Sequence, residues 1–134
     1  MAPPVRIEVV SAQPEGDQHG RWRVSWLVGI EAAEPLELHA AWIPHGRFRG
    51  DGHLPLALSV PGGGSARLEF AVATAGAAGE VVRNAFLILQ LSGPSEGSTW
   101  RVFTRMRVEF DAQARPKPIV ELVTSQSVQS DTCP

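Results

Sequence analysis

Two stretches of the chain alternate apolar side chains with other residues almost without a break. They run from Trp22 to Ile30 and from Trp100 to Phe110. Because successive side chains of a β-strand point to opposite faces, this period of two predicts two long strands that are buried on one face. We expect both tryptophans, together with Trp26, to face the core, and Thr104 to be a polar exception on the inward face of the second strand.

The same alternation predicts seven strands in all, at residues 5–10, 21–30, 36–43, 54–60, 66–73, 84–92 and 99–110. Proline or glycine lies in the segments between them, and the short loops favour antiparallel pairing. The sequence therefore predicts an all-β fold: a single antiparallel β-sandwich of the immunoglobulin or fibronectin type III kind, with an open barrel as the alternative. The likeness is one of pattern only, because the chain has no tyrosine for a tyrosine corner.

The strand at residues 84–92 differs from the others because it is apolar on both faces. We expect Phe86 and Ile88 to face the core, which places Leu87, Leu89 and Leu91 on the outer face. An exposed row of leucines indicates a contact surface, either within the chain or with another molecule.

We assign residues 1–111 to the sandwich and residues 112–134 to a proline-containing connector and a C-terminal tail whose end we expect to be disordered. A small apolar patch interrupts this tail, at Ile119, Val120, Leu122 and Val123. We expect the patch either to cover the leucine row or to add as an edge strand to a second molecule.

Composition narrows the class of protein. A chain of 134 residues is long enough for one domain with its own core, and a formal net charge of −2 makes nucleic-acid binding unfavourable. The single cysteine, Cys133, cannot form a disulfide within the chain, and from the sequence we expect neither a leader peptide nor a membrane-spanning segment. We therefore predict a cytoplasmic protein without a membrane partner.

The polar loop at residues 44–53 is a candidate ligand site. It carries His45, Asp51 and His53, whose imidazole and carboxylate groups suit zinc, and Trp42 lies at the adjacent strand end. The spacing of the two histidines matches no metal-ligand motif, so we predict no metal and no cofactor. We retain the loop as an alternative small-ligand site.

A basic stripe on the outer face of the last alternating strand is a second candidate. It consists of Arg101, Arg105 and Arg107 with Phe103 between them, and Arg23 would extend it if the two tryptophan-led strands pair. Arginine beside an aromatic ring can hold an anion. The alternative is a solvated face whose arginines pair with acids.

One hydrolase-like motif, G-x-S-x-G at residues 93–97, lacks its required context. A nucleophile elbow needs a helix after the serine, whereas a strand follows here. We predict a hairpin loop at this position and no enzymatic activity. The function that we expect is a non-catalytic protein-interaction or structural module, whose partner is another protein or, in a homodimer, a second copy of the chain. The alternative is a small-ligand, anion or metal-binding domain.

Overall fold

The computed structural model describes residues 5–16, 19–93 and 99–128, and ten strands lie within these ranges. In chain order they are β1 (Val5–Pro14), β2 (Arg21–Ile30), β3 (Leu36–Trp42), β4 (Pro44–His45), β5 (Phe48–Gly50), β6 (Leu54–Val60), β7 (Ser65–Thr74), β8 (Val81–Ser92), β9 (Thr99–Phe110) and β10 (Pro116–Val128). In the described part of the chain, no helix is long and apolar enough to cross a membrane.

The strands form two five-stranded antiparallel sheets that pack face to face. Sheet A has the order β1-β2-β7-β5-β4, and sheet B has the order β10-β9-β8-β3-β6. The predicted all-β sandwich is therefore confirmed, and the two sheets are not closed into a barrel. A closer likeness to immunoglobulin domains stays a prediction.

The inner faces of the long strands supply the core, as their alternation predicts. Trp26 of β2 is fully buried, and its ring meets the edge of Phe70 from β7 at a centroid distance of 5.6 Å and an interplanar angle of 79°. Trp22 and Trp100 are partly buried and pack against this core. Trp26 thus lies in the core as the sequence indicates, and the other two tryptophans lie at its border.

The side-chain phase of β8 is opposite to the prediction. Leu87, Leu89 and Leu91 have no exposed surface and belong to the intersheet core, whereas Phe86 and Ile88 are partly exposed on the outer face. A shift of one residue exchanges the two faces of a strand, and here both rows were apolar enough to fill the core. The expected outer leucine row is wrong.

A bulge changes the phase of β3 as well. The pairing register of β3 shifts between Leu38 and Ala40 against both of its neighbours. Strict alternation would place Trp42 on the same face as Leu38, but the extra residue turns Ala41 and Ile43 inward and Trp42 outward. The exposed side of sheet B therefore gains a tryptophan.

Residues 116–128 form a strand of sheet B rather than a connector and a tail. β10 pairs with β9 along its whole length, from Pro116 opposite Phe110 to Val128 opposite Thr99. Val120 and Val123 point inward and pack against the core. The apolar patch thus joins the sheet of its own chain and does not lie over the leucines of β8.

Candidate functional site

The outer face of sheet A is polar, and the charges on its strands β2 and β7 are paired. Arg23 of β2 contacts Glu15 at 3.1 Å and Glu69 at 3.7 Å, and Arg67 contacts Glu69 at 3.7 Å. Arg23 would extend the basic stripe of β9 only if the two strands paired, and β2 and β9 lie in different sheets. This face has the composition of a solvated surface.

The outer face of sheet B is different, because large apolar side chains form a row across its central strands. Trp42 of β3 is opposite Ile88 of β8, and Ile88 is opposite Phe103 of β9. Phe86 lies in the next row, where Arg105 separates it from Leu122 on β10. We call the three residues Trp42, Ile88 and Phe103 the apolar belt.

One end of the apolar belt is an aromatic stack. The His53 ring lies parallel to the Trp42 ring, with 4.2 Å between centroids and an interplanar angle of 13°. The Arg101 guanidinium carbon lies 5.9 Å from the centroid of the Trp42 ring. The two candidate sites of the sequence, the 42–53 loop and the arginine face, therefore meet at Trp42.

The other arginines of β9 are bound by acids. Glu121, on the bulge of β10, contacts Arg107 at 2.9 Å and Arg105 at 3.7 Å, and Glu109 contacts Arg107 at 2.9 Å. The pKa of Arg107 is raised, mainly because the Arg107 side chain donates a hydrogen bond to Glu109. Within the described part of the chain, Arg101 has no such acidic partner.

The loop residues proposed as ligands do not converge. Arg21 donates two hydrogen bonds to Asp51, at 3.2 and 2.8 Å, and this contact lowers the pKa of Asp51. His45 Nδ1 accepts the backbone N–H of Arg47 at 3.0 Å within its own turn. Among the residues that the structure describes, no three histidine, cysteine, aspartate or glutamate side chains are grouped to hold a metal ion.

A shallow groove of about 260 Å³ lies beside the aromatic stack. Trp42, Pro44 and His53 give it an apolar wall, and Arg49 supplies a cation. The groove combines an aromatic surface with a positive charge, which suits a planar or apolar anion.

Phe86 and Ile88 lie on the outer face of sheet B, whereas the sequence pattern was expected to place them inward. Their row continues to Gln90 and Ser92, whereas the other row of the strand ends in leucine. Polar residues at the end of a row indicate the solvent side, so this signal was present in the sequence.

The G-x-S-x-G segment extends outside the described residues, and its predicted hairpin loop stays a prediction.

Comparison of the chain with protein-family models, with curated proteins and with solved structures found no match.

Proposed function

We propose that this protein is a non-catalytic β-sandwich module that binds a partner protein through the outer face of sheet B. The difference between the two outer faces supports this proposal most directly. Sheet A presents paired charges along β2 and β7, whereas sheet B presents the apolar belt with Phe86 and Leu122 beside it. A contiguous apolar patch on an otherwise polar protein is typical of a protein contact.

The chemistry of the face indicates the partner. Tryptophan, phenylalanine and arginine are enriched where binding energy is concentrated in protein interfaces. Arg101 has no acidic partner in the described ranges, so a carboxylate of the partner would complete its charge pairing. We infer an apolar segment that carries an aspartate or glutamate.

A pair of variants on opposite faces tests this function. Ile88→Lys puts a charge in the middle of the apolar belt, and Leu27→Lys puts the same charge on the outer face of sheet A, where Leu27 is also partly exposed. We expect the native chain and the Leu27→Lys variant to capture the same protein from the host, and the Ile88→Lys variant to lose it.

A photo-crosslinking residue at position 103 supplies the direct readout. It should form a covalent adduct with the captured protein, and the same probe at position 27 should not. Capture that survives Ile88→Lys, or adducts that form only from position 27, would contradict the proposal. Both lysine variants should first show native circular dichroism.

A second candidate function rests on the groove at Trp42. The aromatic stack and the cation of Arg49 favour an anionic small ligand with an apolar or planar body. A ligand that binds only the folded state raises the melting temperature. A panel of aromatic carboxylates and phosphates should therefore shift the melting temperature of the native chain but not that of Trp42→Ala.

For either function we propose a cytoplasmic location. The support is the cysteine content, since a lone Cys133 offers no disulfide framework. Fractionation of host cells tests this directly.

A further inference from the structure

The last seven residues of β10, from Leu122 to Val128, form a regular edge strand without protection against pairing. These residues pair with β9 without any shift of register, from Leu122 opposite Arg105 to Val128 opposite Thr99. They include no charged residue and no proline. β10 is the outermost strand of sheet B, so among the strands that the structure describes none pairs with its backbone groups on the far side.

The other edge strands of the sandwich have features that hinder pairing with another chain. β1 carries Arg6 and Glu8 and has a bulge between Val9 and Ser11. β4 is two residues long, and β6 contains Pro55 and a register shift against β3. Charges, proline, bulges and short length are the devices that prevent edge-to-edge association. The first part of β10 also has them, with Pro116, Pro118 and a bulge at Glu121.

We propose that residues 122–128 of β10 pair antiparallel with the same residues of a second copy of this chain, about a twofold axis at Ser125. This axis makes the segment self-complementary. It sets Leu122 opposite Val128 of the partner, Thr124 opposite Gln126, and Ser125 opposite Ser125. Leu122, whose relative exposure is 47%, gains an apolar neighbour, and no like charges meet.

Ser125 gives an independent reason for this register. Its Oγ is buried and has no hydrogen-bond partner in the described part of the chain. At the axis, the two Ser125 residues are directly opposite, and a rotation of each side chain about χ1 turns its Oγ out of the core to the cross-strand separation at which hydroxyl groups bond. The pairing would join the two copies of sheet B into one ten-stranded sheet.

Two double variants that differ at one residue test the register. Thr124 and Gln126 are both exposed, so their replacement leaves the core of the monomer unchanged. In Thr124→Glu/Gln126→Glu, glutamates face each other twice across the axis. In Thr124→Lys/Gln126→Glu, lysine faces glutamate twice, so the same two contacts become attractive.

Sedimentation velocity over a range of protein concentrations gives the readout. We expect a dimer of the native chain, a dissociation constant at least about tenfold higher for the Glu/Glu variant, and recovery for the Lys/Glu variant at low salt. On the β6 edge, Ala57→Glu/Ser59→Glu should leave the dimer intact, and circular dichroism should show that all variants fold.

Three results would overturn the inference: a native chain that stays monomeric at its highest soluble concentration, a dimer that the Glu/Glu variant does not weaken, or equal weakening by both variants. Thr124 and Gln126 lie opposite Phe103 and Arg101, so the readout is self-association of the purified chain, which is separate from the partner capture that tests the outer-face function. Ile88→Lys should not change the dimer, and a dimer lost in that variant would place the contact on the apolar belt instead of the edge.

Discussion

Thr104 is a polar side chain in the apolar inner face of sheet B. It is fully buried opposite Leu87, and its Oγ1 has no hydrogen-bond partner among the described residues. A buried hydroxyl without a partner has lost its hydration without compensation. Thr104→Val keeps the shape of the side chain and removes the hydroxyl, so we expect the free energy of unfolding to rise by about 1 kcal/mol.

Urea denaturation of Thr104→Val and Thr104→Ser measures this effect. The serine variant keeps the hydroxyl and loses one buried methyl group, so its free energy of unfolding should fall by about 1 kcal/mol. The two changes should therefore have opposite signs. A loss of stability in Thr104→Val would show instead that the hydroxyl makes a favourable contact in the core.

At the scale of the element, the inward face of a strand can be predicted from its sequence when the strand has one apolar row, and not when it has two. β2 and β9 have one, and the position of Trp26 in the core followed from it. β8 has two, so neither local propensity nor period could assign the inward row, and the packing of sheet A against sheet B decides it. The bulge of β3 leaves no mark in the sequence, because Ala40 and Ala41 are small enough to face either side of the sheet. Alternation alone therefore does not place Trp42 on the outer face.

β10 was hidden for a different reason. Two prolines at its start and a polar second half are typical of a connector, because edge strands carry the residues that central strands exclude. The strand exists because β9 offers a free edge and because Val120 and Val123 complete the core. Tertiary contacts, and not local preference, determine this element.

Truncation measures what β10 contributes. A chain that ends after Arg115 loses the buried rings of Pro116 and Pro118 and the inward side chains of Val120 and Val123. At roughly 1 kcal/mol for each partly buried side chain, we expect a loss of about 4 kcal/mol, which is a large share of the stability of a small domain. A chain that ends after Val128 keeps all the described contacts of the strand and serves as the control.

Thermal unfolding of the two truncated chains distinguishes a structural strand from a detachable tail. The shorter chain should melt far below the longer one or be unfolded at room temperature. Equal melting temperatures would mean that residues 116–128 contribute no packing to the sandwich.

At the scale of the whole molecule, three carboxylates hold loops that connect the strands, and the pKa of each is lowered. The side-chain hydrogen bond of Arg21 lowers the pKa of Asp51, and the backbone N–H of Ala77 together with Arg47 lowers that of Glu80. Asp111 accepts the backbone N–H groups of Arg115 and Gln113, both at 2.9 Å, and its pKa is lowered in consequence.

These three shifts predict how stability depends on pH. A carboxylate whose pKa is lower in the folded state than in the unfolded chain binds fewer protons when folded, so it stabilises the fold above its unfolded pKa of about 4. That contribution disappears as the pH falls through the folded pKa. We expect the urea midpoint to be constant from neutral pH to about pH 5 and to decrease steadily below about pH 4.

Asp111→Asn assigns part of this decrease to one turn. The amide oxygen can still accept the two backbone hydrogen bonds at the entry to β10, but it carries no charge and does not titrate. The variant should be less stable than the native chain at neutral pH, and the two stabilities should converge as the pH falls, because the native Asp111 then loses its charge as well. A stability difference between the native chain and Asp111→Asn that is the same at every pH would contradict a titrating Asp111. A urea midpoint that rises as the pH falls would contradict the sign of all three pKa shifts.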